Sequence, residues 1–133
     1  MRVFADTNFL ISAFATRGLS AEVFEIVLSD HTLIISDYII TELRDKLSNK
    51  LKMPPPAIDQ IVSYLSQYEI AETPSETISY EIRDPDDVSV LASAIASNAN
   101  VLITGDMDLI AIADQVSELK VLTPRQFWEI LKE

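Results

Sequence analysis

The chain has 133 residues, 48% of them hydrophobic and only two of them glycine, a balance that predicts one folded domain with a substantial core and excludes disordered and collagen-like classes. It has no cysteine and a single histidine, which excludes disulfides, thiolate metal sites, thiol nucleophiles and an imidazole-rich zinc site. The formal net charge of −11 argues against broad nucleic-acid binding, which relies on Lys and Arg to neutralise phosphates, although bound metal ions would reverse the local field.

The opening Arg2-Val3-Phe4-Ala5 predicts a short buried strand, and Asp6 follows it too soon for a signal peptide. No apolar run reaches the roughly 20 residues that span a bilayer. A soluble, cytoplasmic protein with no membrane partner is expected. A short helix is predicted from Asn8 to Phe14, broken by Thr16-Arg17-Gly18, and a second with Ser20 as its N-cap and Val23, Phe24, Val27 and Leu28 as its apolar stripe. The lone His31 reads as a solvated turn residue.

Thr32-Leu33-Ile34-Ile35 predicts a second buried strand and Asp37 to Asn49 a helix facing the core through Ile39, Ile40, Leu43 and Leu47. Pro54-Pro55-Pro56 interrupts the chain, and Ile58, Ile61, Val62 and Leu65 then recur at helical spacing. Within Ile70 to Ile82, the alternation of Ile78, Tyr80 and Ile82 predicts a strand. Asp84 as N-cap and Pro85 in the first helical position open the clearest helix, which ends at Asn98-Ala99-Asn100. Strand Val101-Leu102-Ile103, a short helix around Asp108 to Asp114, strand Lys120-Val121-Leu122 and a closing helix after Pro124 complete the chain. Apolar strands alternating with helices predict a three-layer α/β/α sandwich around a mostly parallel, Rossmann-like sheet. The Trp128 helix packs inside by default, with a homodimer interface as its alternative.

Acidic residues stand where these elements meet: Asp6, Glu42, the Asp84–Asp87 cluster, and Asp106 with Asp108. Ligands of open α/β sheets bind at the carboxyl ends of the strands. Carboxylates gathered there repel one another unless a cation neutralises them, and an all-oxygen set suits a hard divalent ion. Each also has a structural role to fill. Asp6 could cap the first helix, or Asn8 could do so and leave Asp6 free. Asp87 precedes apolar residues at +3, +4, +7 and +8, so it extends the buried stripe, while Asp86 lies about 100° away toward solvent and Asp84 caps. Glu42 flanks its helix's stripe. In Thr104-Gly105-Asp106, glycine is expected to permit a tight turn.

In order and spacing, Asp6-Thr7-Asn8, Ser36 through Glu42-Leu43, Arg83-Asp84-Pro85-Asp86-Asp87, Ile103-Thr104-Gly105-Asp106-Met107-Asp108 and Leu122-Thr123-Pro124 resemble the PIN-domain family, specifically its VapC-like toxins of bacterial and archaeal toxin–antitoxin systems. The resemblance spans nearly the whole of 1–133. It implies an endoribonuclease dependent on Mg²⁺ or Mn²⁺, with an RNA substrate and a cognate antitoxin. Position by position it implies the acidic quartet Asp6, Glu42, Asp87 and Asp106, with Asp108 as an auxiliary acid and metal ligand and with Asn8 and Thr104 as supporting polar residues. Met107 stands where the family often has a basic residue. General metal chemistry then implies products with a 5′ phosphate and a 3′ hydroxyl. Arg44, Lys46, Lys50 and Lys52 form a basic run that could meet RNA phosphates or simply solvate a helix end.

Other classes fit less well. A phosphoacceptor receiver domain would want a lysine after the final strand, where Thr123-Pro124 stands; a haloacid-dehalogenase-type phosphatase would want an aspartate where Asn8 stands. A non-catalytic PIN-like module acting through a protein partner is the remaining alternative.

Overall fold

A computed structural model describes residues 1–75 and 78–132. Its frame is a five-stranded sheet, parallel throughout, in the order β3-β2-β1-β4-β5. The strands are β1 (Arg2–Ala5), β2 (Thr32–Ser36), β3 (Glu69–Ala71), β4 (Val101–Ile103) and β5 (Lys120–Leu122). Val3, Phe4, Ala5, Ile34, Ile35 and Leu102 are fully buried, as strands covered on both faces must be. Ala5 pairs with Ile103 and Ile103 with Leu122, so the carboxyl ends of β1, β4 and β5 finish level.

From β1 the chain steps outward to β2 and β3 through α1 (Thr7–Ala15), α2 (Leu19–Asp30), α3 (Asp37–Asn49) and α4 (Pro55–Leu65). It then returns past β1 to β4 through α5 (Pro85–Ala96), and α6 (Met107–Ile110) with a 3-10 turn at Ala113–Gln115 leads to β5. Right-handed crossovers therefore put the first four helices on one face and α5 on the other. The closing helix α7 (Pro124–Leu131) packs against α2. This is the predicted three-layer sandwich, with the chain's direction reversing between β1 and β4. Among the described residues no helix is long and apolar enough to cross a membrane.

The local signals explain most boundaries. Ser36 caps α3 through Ile39 N–H, and Thr123 and Gln126 form a reciprocal capping box on α7. Asn98 adopts a left-handed φ of 59°, and the N–H groups of Asn98 and Ala99 donate to the carbonyls of Ile95 and Ala94, closing α5 in a Schellman motif. The prolines do more than end α3: Pro55 and Pro56 start α4, where their missing N–H groups cost nothing.

Four local expectations change. The cap of α2 is Gly18, with Glu22 N–H donating to its carbonyl, because Leu19 already packs on the core and starts the helix before Ser20. Ile78, Tyr80 and Ile82 lean on the core from non-strand backbone, and the strand of this region is instead Glu69–Ala71, paired with β2. Glu76 and Thr77, within the same stretch, lie outside the described residues. The helix expected around Asp108 to Asp114 is split into α6 and the 3-10 turn. His31 is half-buried: its Nδ1 lies 3.0 Å from the Met1 ammonium and its ring stands edge-on to Phe127. Trp128 packs against the core with Lys132 Nζ 3.5 Å from its ring centroid.

Candidate metal centre

The reversal between β1 and β4 opens a crevice at their carboxyl ends, the place where open α/β sheets bind ligands. Asp6 and Thr104 stand there because each is the first residue past its strand. The ladder holds both: Asp6 N–H donates to Ile103 O (3.0 Å) and Thr104 N–H to Leu122 O (2.9 Å). A cavity of about 290 Å³ follows, lined by Asp6, Asn8, Glu42, Asp45, Lys46, Asp84, Asp86, Asp87 and Asp106. The four residues of the expected quartet thus face one space.

Asp6 fills both of its expected roles at once. Its Oδ1 accepts from Thr7 N–H (2.8 Å) and caps α1, while its Oδ2 accepts from the Thr104 hydroxyl (2.7 Å) and Asn8 Nδ2 (3.3 Å). Thr104 Oγ1 accepts in turn from Asp106 N–H (2.9 Å), and Asn8 Oδ1 accepts from Gly105 N–H (2.8 Å). The two loops are therefore stitched together by neutral donors. Burial pushes the Asp6 carboxyl above its ordinary pKa; the Thr104 and Thr7 bonds oppose that rise, and the charges of Glu42 and Asp106 add to it. The turn does not require glycine, since Gly105 has no left-handed φ and a Cβ there would meet Asn8 Oδ1 at an ordinary 3.6 Å.

Asp87 is buried at the start of α5 and Asp86 beside it is exposed, as the helical phase predicts. Among the described residues Asp87 Oδ2 has no hydrogen-bond partner. Its pKa is pushed up to about 8, first by burial, then by the charges of Asp106 and Asp6. A carboxylate so placed resists ionisation, and a cation beside it would favour its charged form. An orphaned buried oxygen within an all-oxygen, carboxylate-rich set fits a hard divalent ion and suits a soft one poorly.

Asp106 caps α6 through Asp108 N–H (2.8 Å) and lines the cavity. Asp108 joins Asp84 and Asp87 instead, in a cluster whose carboxylate oxygens lie within 4.8 Å of one another, and Arg83 Nε sits 3.2 Å from its Oδ1. Asp84 was expected only as a cap. It does cap, accepting from Asp86 N–H (3.0 Å), and it also lines the cavity and belongs to that cluster.

Glu42 projects from α3 into the same cavity. Sequence reasoning missed its partner, Tyr38, whose hydroxyl donates to Glu42 Oε2 (3.0 Å); burial and then the Glu42 charge push the phenol pKa well up, so it stays a donor. An i, i+4 pair on one helix face is the signal that could have found it. Within the basic run, Lys46 lines the cavity with Nζ 3.8 Å from Glu42 Oε1, Arg44 pairs with Asp59, and Lys50 and Lys52 are exposed. Met107 is 74% exposed at the rim.

The PIN-domain profile matches residues 2–108. No curated protein sequence matches the chain. Solved structures with the same fold include the following three. VapBC2 from Rickettsia felis, bound to a DNA fragment from its promoter, has a TM-score of 0.63 at 20% identity, covering 91% of this chain and 97% of that one. VapBC-1 from nontypeable Haemophilus influenzae has a TM-score of 0.66 at 19% identity, covering 94% and 99%. VapC20 from Mycobacterium tuberculosis, a sarcin-ricin-loop-cleaving toxin, has a TM-score of 0.60 at 12% identity, covering 89% and 98%. With a family match over most of its length and a sheet order that sets its acids at one crevice, the chain belongs to the PIN-domain family.

Proposed function

We propose that residues 1–133 form one PIN-like nuclease domain, a Mg²⁺- or Mn²⁺-dependent endoribonuclease that is the toxin of a toxin–antitoxin pair. Its metal ligands are Asp6, Glu42, Asp87 and Asp106, with Asp108 auxiliary. The observation that carries the reading is the buried, unpartnered Asp87 Oδ2 in a cavity lined by carboxylates from four separate segments. The likeness to VapC20, a sarcin-ricin-loop-cleaving toxin, supports an RNA substrate, and the likeness to two VapBC complexes supports a cognate antitoxin. Both partners are consistent with work in the cytoplasm.

A bound ion supplies a water activated at neutral pH and positive charge against the phosphate. The chain supplies position. Thr104 and Thr7 fix both oxygens of Asp6, Asn8 locks the β1–α1 loop to the β4–α6 loop, and Tyr38 fixes one oxygen of Glu42. Burial and the charges of Asp106 and Asp6 hold Asp87 toward its protonated form, and a cation beside it would favour the charged form instead. Activated water attacking the phosphorus would break the P–O3′ bond, with the 3′ oxygen leaving, to give a 5′ phosphate and a 3′ hydroxyl.

The test is cleavage of total RNA by purified protein with Mn²⁺, with Mg²⁺, with excess EDTA, and with Asp87→Asn. Cleavage should need the metal and fall by roughly a hundredfold or more in the variant. Undiminished cleavage by Asp87→Asn overturns the site assignment, and no cleavage of any RNA turns the reading toward a binding module.

A further inference from the structure

Among the described residues that line the acidic cavity Lys46 is the one cation, and it is placed unlike an ordinary surface lysine. It follows Glu42 by one helical turn, and its ammonium lies 3.8 Å from Oε1, while the Tyr38 hydroxyl, one turn before Glu42, holds Oε2 at 3.0 Å. The three residues form a single i, i+4, i+8 row along α3. The two oxygens of Glu42 are thus held unequally. Oε2 has a directed, neutral donor at hydrogen-bond distance, and Oε1 has a looser, charged neighbour beyond it. With Oε2 engaged by Tyr38, Oε1 is left with only the looser ammonium of Lys46, itself a lining residue of the cavity.

We propose that Lys46 and a divalent cation compete for Oε1 of Glu42, while Tyr38 acts as the positioning residue that holds Oε2. The inference rests on the metal-dependent reading above and adds a resident counter-ion to it. In the metal-free protein Lys46 offsets part of the charge of Glu42. A divalent ion in the cavity would repel the ammonium and, with its higher charge, would win the competition for Oε1. A flexible four-carbon stem lets the head swing clear without moving the helix.

The experiment is Mn²⁺ and Mg²⁺ titration of the purified chain by calorimetry, for wild type, Lys46→Met and Tyr38→Phe, with thermal melts to confirm that each variant folds. Lys46→Met keeps the aliphatic stem and should bind Mn²⁺ roughly three- to tenfold more tightly, since the competing charge is gone. Tyr38→Phe should bind it several-fold more weakly at an unchanged melting temperature, a split that a merely structural tyrosine would not give. In wild type, the ¹³Cε resonance of Lys46 should shift as Mg²⁺ fills the site. Wild-type binding with Lys46→Met no tighter, or a Lys46 resonance that ignores saturating Mg²⁺, overturns this inference alone. Wild-type protein that binds neither ion overturns the inference together with the metal-dependent reading.

Discussion

Replacing Asp87 with asparagine should make the metal-free protein more stable at neutral pH while destroying its metal site. The buried carboxyl has its pKa moved from 3.8 to about 8, so between those values the folded state binds more protons than the unfolded chain. Stability then falls as pH rises through that window, and the penalty is absent below about pH 4. The full shift would correspond to about 4 kcal/mol at pH 7, at roughly 1.4 kcal/mol per unit. Water and salt reaching the open side of the cavity screen the carboxylates, so about 1–2 kcal/mol is the expected cost. Asparagine removes that penalty and keeps the shape. Thermal melts in EDTA should therefore show Asp87→Asn melting about 3–8 °C above wild type at pH 7, with the gap closing toward pH 4. Adding Mn²⁺ should raise the wild-type melting temperature and leave the variant nearly unmoved. A gap that stays constant from pH 4 to pH 8, or a variant less stable at pH 7, would refute the argument that Asp87 is held protonated by burial and neighbouring charge.

Thr104→Val leaves Asp6 Oδ2 and Asp106 N–H without the hydroxyl that joins them, and should cost about 1–3 kcal/mol by urea denaturation. Asp84→Asn keeps a competent cap, so its melting temperature should barely change. Its Mn²⁺ affinity, measured by calorimetry, should drop, whereas exposed Asp86→Asn should alter it less. Leu91→Ala, at a fully buried position of α5, should cost roughly 2–5 kcal/mol and shift the chemical denaturation midpoint without changing which metal is bound.

Most of the frame was legible because the signals were strong and local. The apolar runs after Met1, at Leu33 and at Val101 are too short for helices and became the buried strands. Asp87 could be told from Asp86 because a helix has a fixed phase, and the structure buries the first and exposes the second. What the sequence hid falls into two kinds. Glu69-Ile70-Ala71 is an edge strand with one paired side and mixed polarity, so nothing in its composition distinguishes it from a loop. Double roles were hidden as well: Asp6 and Asp84 each cap a helix with one oxygen and face the cavity with the rest, where sequence reasoning treats cap and site as exclusive. Tyr38 went unnoticed because its hydroxyl matters only once Glu42 is known to turn inward.

The bond between Thr104 and Asp6 joins positions 98 residues apart, across two strands that lie side by side at the centre of the sheet. During synthesis Asp6 and Glu42 emerge early, but β1 lacks one of its neighbours until β4 has been made. Domains generally fold as units, and long-range strand pairing comes late because the loop must close first. A growing chain therefore carries Asp6 and Glu42 with no complete cavity to put them in until Asp87 and Asp106 have followed. For an enzyme read as cutting RNA, that order ties the assembly of its acids to the docking of β4 beside β1, and it comes from strand order alone.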